Sequence, residues 1–106
     1  MSIRRAKVSE AETFLNDLTG GPLTLGEALR SIREGEGWSQ AEMGRRLGIG
    51  RAHVCDIEKG RRTVSPDRAA RFAAILGYSR TQFVRLALQD QLRQSGLKMT
   101  VSVDAG

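Results

Sequence analysis

The chain has 106 residues, 40% hydrophobic and 27% charged, which suits one small globular domain and excludes both a disordered tail and a multi-part enzyme with a deep cleft. Seventeen Lys and Arg, most of them arginine, against twelve Asp and Glu give a net charge of +5 and favour a phosphate-bearing partner, because the guanidinium fork binds phosphate and guanine edges at two points. One cysteine, Cys55, excludes an internal disulfide and a Cys-rich metal site; no apolar run approaches the roughly eighteen residues of a membrane span, and "MSIRRAKVSEAE" lacks a signal-peptide core, so a soluble cytoplasmic protein with no membrane partner is expected.

Helix starts organise the chain. "SEAE" at Ser9, "TLGE" at Thr24, "SQAE" at Ser39 and "SRTQ" at Ser79 each place a hydroxyl at an N-cap and a Glu or Gln three residues on, where both can satisfy orphaned N–H groups. "SPD" at Ser65 adds a cap followed by Pro66 at the first helical position. Glycines supply the stops, at Gly20-Gly21, Gly35 to Gly37, Gly48, Gly60, Gly77 and Gly96.

In chain order the predicted helices are 9–19, 24–35, 39–47, 50–59, 66–77 and 79–95. Residues 1–22, closing on "TGGP", read as an N-terminal helical arm, 23–95 as the main domain and 96–106 as a C-terminal strand or tail. Leu25, Leu29 and Ile32, then Met43 and Leu47, Val54 and Ile57, Ala69, Phe72, Ala73 and Leu76, and finally Phe83, Leu86 and Ala87 recur at helical spacing and form the expected core. Trp38 with Met43 and Tyr78 with Phe83 stand at hydrophobic-staple spacing. The last stretch, "LKMTVSV", alternates Leu97, Met99, Val101 and Val103 with polar residues and predicts one β-strand in a chain that is otherwise all-α.

The functional weight falls on Ser39 to Arg62, two short helices joined by a tight turn at "GIG", an arrangement in which one helix braces another that enters a major groove. Ser39, Gln40, Met43, Gly44, Leu47, Gly48, Ile49, Gly50, Val54, Ile57, Glu58 and Gly60 resemble the helix-turn-helix of the Cro/C1-type, or xenobiotic-response-element type, transcriptional regulators. The resemblance implies a lambda-repressor-like bundle of about five helices over residues 24 to 90. Two positions depart from the family pattern. Gly44 replaces the usual alanine and Gly50 the usual serine cap, which lowers the expected stability of both helices.

Matching positions assign the contacts to double-stranded DNA. Gln40 is expected at a phosphate, as in the family, and Arg51 and Ala52 open the recognition helix, Arg51 for a two-point contact to guanine and Ala52 for a thymine methyl. His53 and Asp56 lie one turn along, within reach of base or phosphate. Asp56 either accepts from a cytosine amino group or holds Arg51 or His53 in place. Lys59, Arg61 and Arg62 follow on a loop suited to the sugar-phosphate backbone, and residues 39–62 carry a net +3. The family pairs its conserved-position glutamate, here Glu58, with an arginine on the first helix, here Arg33; a partly buried ion pair without DNA contact is implied.

Other chemistry reads poorly. On one helix Cys55 diverges from the line joining His53 to Asp56, so a catalytic triad and a metal site are both disfavoured, and no enzyme activity and no cofactor are expected. One helix-turn-helix offers few contacts, so a homodimer on a palindromic operator is expected. The second apolar row of the last helix, Val84, Leu88 and Leu92, and the strand residues Leu97, Met99, Val101 and Val103 supply its surface. The arm and tail also resemble HigA-type antitoxins, which implies a second reading in which the protein neutralises a small ribonuclease toxin and autoregulates its operon.

Overall fold

The computed structural model describes residues 23–104; the N-terminal arm, with the helix expected at 9–19 and the Ser9 capping box, lies outside the described residues. Five helices follow in order: α1 (Leu25–Glu36), α2 (Gln40–Leu47), α3 (Arg51–Glu58), α4 (Pro66–Leu76) and α5 (Arg80–Gln94).

Local chemistry sets their ends. Thr24 Oγ1 accepts from Glu27 N–H at 3.0 Å and Glu27 Oε1 accepts from Thr24 N–H at 2.8 Å, a complete capping box at the start of α1. Ser39, Ser65 and Ser79 accept from the backbone N–H three residues on and cap α2, α4 and α5. At Ser39 the reciprocal half of the box is lost, because the Glu42 carboxylate pairs with Arg45 and Arg46 of its own helix. Gly37, Gly48 and Gly77 sit at φ of +75° to +79° and close α1, α2 and α4, a conformation that costs glycine little.

The apolar stripes meet in one core in which Phe72, Phe83, Leu25, Leu29, Met43 and Val54 are fully buried. Each such side chain contributes on the order of 1.5–3 kcal/mol relative to exposure. Leu23 and Val64, outside the helical stripes, complete this core, while Trp38, Ile49 and Tyr78 pack against its edge. Helix α4 packs along α5 and α2 along α3, and α1 bridges α3 to α5. Tyr78 and Phe83 stack with ring centroids 6.1 Å apart, which fixes the turn into α5.

Two glycines permit close backbone approach. A Cβ on Gly26 would lie 2.0 Å from the Ile57 carbonyl oxygen, so α1 touches α3 through bare backbone. A Cβ on Gly44 would lie 2.5 Å from the Ile49 carbonyl oxygen, where Ile49 N–H donates to Gly44 O at 2.9 Å. Gly44 is therefore more than a weak helix residue; the turn between α2 and α3 closes over the missing side chain.

A long-range carboxylate joins the two ends of the bundle. Asp90 Oδ2 accepts from Leu25 N–H at 3.0 Å and Oδ1 accepts from Arg93 at 3.0 Å. It meets the positive end of the α1 dipole. Burial nevertheless pushes the Asp90 carboxyl above its ordinary range, opposed by the Leu25 hydrogen bond and by Arg93.

The C-terminal strand expected at 97–103 is not formed; no strand occurs among the described residues. A strand needs a second backbone edge, and none is presented to it among the described residues. Residues 97–104 instead follow the turn at Gly96 without regular structure, and the Gln89 side chain takes the place of a neighbouring strand: its Nε2 donates to Met99 O at 2.7 Å and its Oε1 accepts from Val101 N–H at 3.0 Å.

Gly26→Ala is expected to destabilise the domain by at least about 2 kcal/mol, through forced separation of α1 from α3, despite the better helix propensity of alanine. Urea denaturation measures this directly, and an unchanged midpoint would show that the two helices can move apart without cost.

Candidate nucleic-acid interface

Helix α3 is short and poorly supported by its own sequence. Gly50 provides no side-chain cap, the first turn contains no acidic residue, and Arg51 stands at the first helical position. A cation there opposes the helix dipole by about 0.3–1 kcal/mol. Eight residues form no stable helix alone, so α3 depends on what it packs against. Its inward face buries Val54 and Ile57.

The end of α3 is held by Glu58, whose side chain is 3% exposed. Arg33 of α1 donates to it twice, Nε to Oε2 at 2.8 Å and Nη2 to Oε1 at 3.1 Å, and donates a third hydrogen bond from Nη1 to the Trp38 carbonyl at 3.0 Å. The hydrogen bond to Glu58 raises the pKa of Arg33 further, so its guanidinium stays charged. Gln40 Nε2 also donates to Glu58 Oε1, at 3.1 Å. The contact ties the Gln40 side chain, expected at a phosphate, to the ion pair through one of its two amide hydrogens. The Gln40 backbone N–H lies in the first turn of α2, at the positive end of its dipole. Arg46 lies 4.0 Å from the Trp38 ring centroid and covers the outer face of that corner.

The outward face of α3 presents Arg51 and Ala52, both exposed, and Arg51 has neither ion pair nor hydrogen bond with any described residue. The loop after α3 turns at Gly60, with φ of +76°, and folds two arginines back onto the helix. Arg61 N–H donates to Asp56 O at 2.8 Å and its guanidinium lies 3.8 Å from the Asp56 carboxylate. Within the chain Asp56 thus takes Arg61 as its ion-pair partner, and not Arg51 or His53, which the second of its two expected roles would have had it hold. Arg62 Nη1 lies 3.3 Å from His53 Nε2. Arginine is only a donor, so the imidazole accepts at Nε2 and carries its proton on Nδ1. Lys59 is exposed at the end of α3, and Cys55 is a half-buried free thiol one position before Asp56.

The structure adds one basic residue that the sequence reading did not single out. Arg68, at the start of α4, is exposed and close enough to depress the pKa of His53. Its only sequence signal is position, three residues past the Ser65 cap. Burial is the first cause of the lowered His53 pKa, followed by the Arg62 and Arg68 charges, with Asp56 opposing. His53, Arg62 and Arg68 thus form one positive corner in which the imidazole is the neutral member.

Residues 24–86 match the family described as "Helix-turn-helix domain". Among solved structures, the crystal structure of a hypothetical transcription factor, NHTF, from Neisseria is similar, at 31% identity over 67% of this chain and 79% of that chain with a TM-score of 0.51. No curated protein matches the chain.

His53 yields a signed pH prediction. Its folded pKa lies below the unfolded value, so the folded state binds fewer protons, and stability is lost as pH falls through the unfolded value. Wild type is expected to lose stability relative to His53→Gln between about pH 7.5 and about pH 5. Urea denaturation across that range checks it; a constant difference would show that the imidazole titrates as in the unfolded chain.

Proposed function

The chain belongs to the helix-turn-helix domain family, and on that premise we propose that it regulates transcription as a homodimeric repressor, binding a palindromic operator with one α3 in each of two successive major grooves about 34 Å apart. The observation that carries this reading is Arg51: an exposed guanidinium with no partner among the described residues, set at the dipole-unfavourable start of α3, whose natural complement is an acceptor outside the chain. In this reading Arg51 and Ala52 read base edges, with His53 and Asp56 behind them. Lys59, Arg61, Arg62 and the Gln40 backbone take phosphates. The Asp56 and His53 contacts support the phosphate role, because they hold Arg61 and Arg62 beside the reading face before DNA arrives and reduce the entropy lost on binding.

The dimer surface combines Val84, Leu88 and Leu92 of α5, all half-buried in the single chain, with Leu97, Met99, Val101 and Val103. Leu97 and Met99 remain 50% and 61% exposed, more than an isolated small domain needs. The antitoxin reading would use the same two side chains to cover a toxin, and co-purification with the product of an adjacent reading frame tests it. No catalytic step, metal or cofactor enters either reading.

Selection of bound sequences from a random DNA pool supplies the operator for two tests. Arg51→Ala is expected to cost about 1–3 kcal/mol and to relax discrimination at one base pair; equal weakening on all sequences would move Arg51 to the phosphate class. Replacing Arg61 and Arg62 together is expected to reduce the salt dependence of binding by up to about two phosphate charges per subunit. An unchanged slope would place both arginines in solvent.

A further inference from the structure

The positive corner of His53, Arg62 and Arg68 contains one atom whose role depends on its partner, His53 Nε2. It accepts from Arg62 Nη1 at 3.3 Å, a bond that only the neutral imidazole makes, because a protonated ring carries donors at both nitrogens. The charges that act on the ring come from three elements: Arg62 on the loop after α3, Arg68 on α4 and Asp56 on α3 itself. Asp56 is the one anion among them, and the Arg61 guanidinium faces it at 3.8 Å. Burial, followed by the two arginines, holds the free ring below its ordinary pKa. His53 is also the single histidine of the chain, so proton exchange by an imidazole has one address.

We infer that DNA binding exchanges this arginine for a proton: Arg62 turns from His53 to a backbone phosphate, and the vacated Nε2 takes a proton from solvent and donates it to the same backbone in a hydrogen bond. The inference rests on the DNA-binding reading and adds the regulation of that site by pH. The bond from Arg62 to the imidazole is long and exposed, whereas a phosphate offers the guanidinium a charged acceptor and two-point geometry. The trade favours the phosphate. Phosphate charge beside Arg62 and Arg68 then cancels the repulsion that kept the ring neutral, and duplex DNA supplies it densely, at one charge per roughly 1.7 Å of its axis. Docking also strips water from the ring, which disfavours the charged form, but a charge-assisted hydrogen bond from the imidazolium to a phosphate offsets that loss. Binding thus takes up to about one proton per subunit, and affinity rises as pH falls. Stability of the free domain moves the other way over the same range, which separates this effect from acid denaturation.

Two measurements on the full chain with the selected operator test the exchange. The ring signals of the single histidine, followed by NMR titration, are expected to show a higher pKa in the complex than in the free protein. The dissociation constant is expected to fall between about pH 7.5 and about pH 5.5, by at most about tenfold per pH unit for each subunit bound. His53→Gln keeps a hydrogen-bonding side chain and loses the titration, and it is expected to remove most of that slope. An imidazole pKa that stays constant or drops on binding shows that Arg62 remains on His53, and overturns the exchange. A slope that survives in His53→Gln overturns the assignment to this ring. Failure to select any DNA at either end of the pH range overturns the DNA-binding reading and the exchange with it, a failure visible before any proton is counted.

Discussion

Glu58 is the constraint on which the rest of the domain depends. It is a carboxylate at the C-terminal end of α3, where the helix dipole is negative, and it is almost wholly out of water, so both its helix and its surroundings disfavour its charge. The structure satisfies it from two directions, with the Arg33 fork from α1 and the Gln40 amide from α2. Such a pair adds little net stability over an apolar replacement, but removing one partner is costly, and its geometry has few alternatives. The consequence is orientation: α1, α2 and α3 meet at one carboxylate, and the pitch of α3 relative to its brace is set there.

That orientation matters because α3 is otherwise weak. It is short, uncapped by any side chain and begins with an arginine at the wrong pole. Local rules are broken where the surface has to meet a partner, and tertiary packing offsets them, a pattern expected at functional sites. The close approaches at Gly26 and Gly44 belong to the same device, since they bring α1 against α3 and the α2–α3 turn against α2 with no side chain between. The buried contacts of α3 are concentrated on its inward face, at Val54 and Ile57.

Fold and site were unequally legible in the sequence. The caps at Thr24, Ser39, Ser65 and Ser79, the glycine stops and the apolar stripes located all five described helices to within one or two residues, because caps, stops and periodicity are local properties. The Arg33–Glu58 contact could be anticipated only through the family resemblance, being 25 residues apart. Asp90 gave no signal at all: its partner Leu25 is 65 residues away and offers only a backbone N–H, which every residue has. Arg68 was passed over as one arginine among many.

The tail shows where local pattern misleads. Alternation at 97–103 predicts a strand, yet alternation describes only which side chains share a face; strand formation also requires a neighbouring edge. The sequence by itself determined the helices and their ends, since these follow from short-range hydrogen bonding and hydrophobic period. Only the tertiary structure decided which donors and acceptors are already spent. Gln40 was tied to Glu58, Arg61 and Arg62 were drawn back to Asp56 and His53, Arg51 was left without a partner among the described residues, and two backbone groups of the tail, Met99 O and Val101 N–H, were taken by Gln89. A side chain's capacity to bond is written in its chemistry, but its availability depends on what the fold brings within about 3 Å of it.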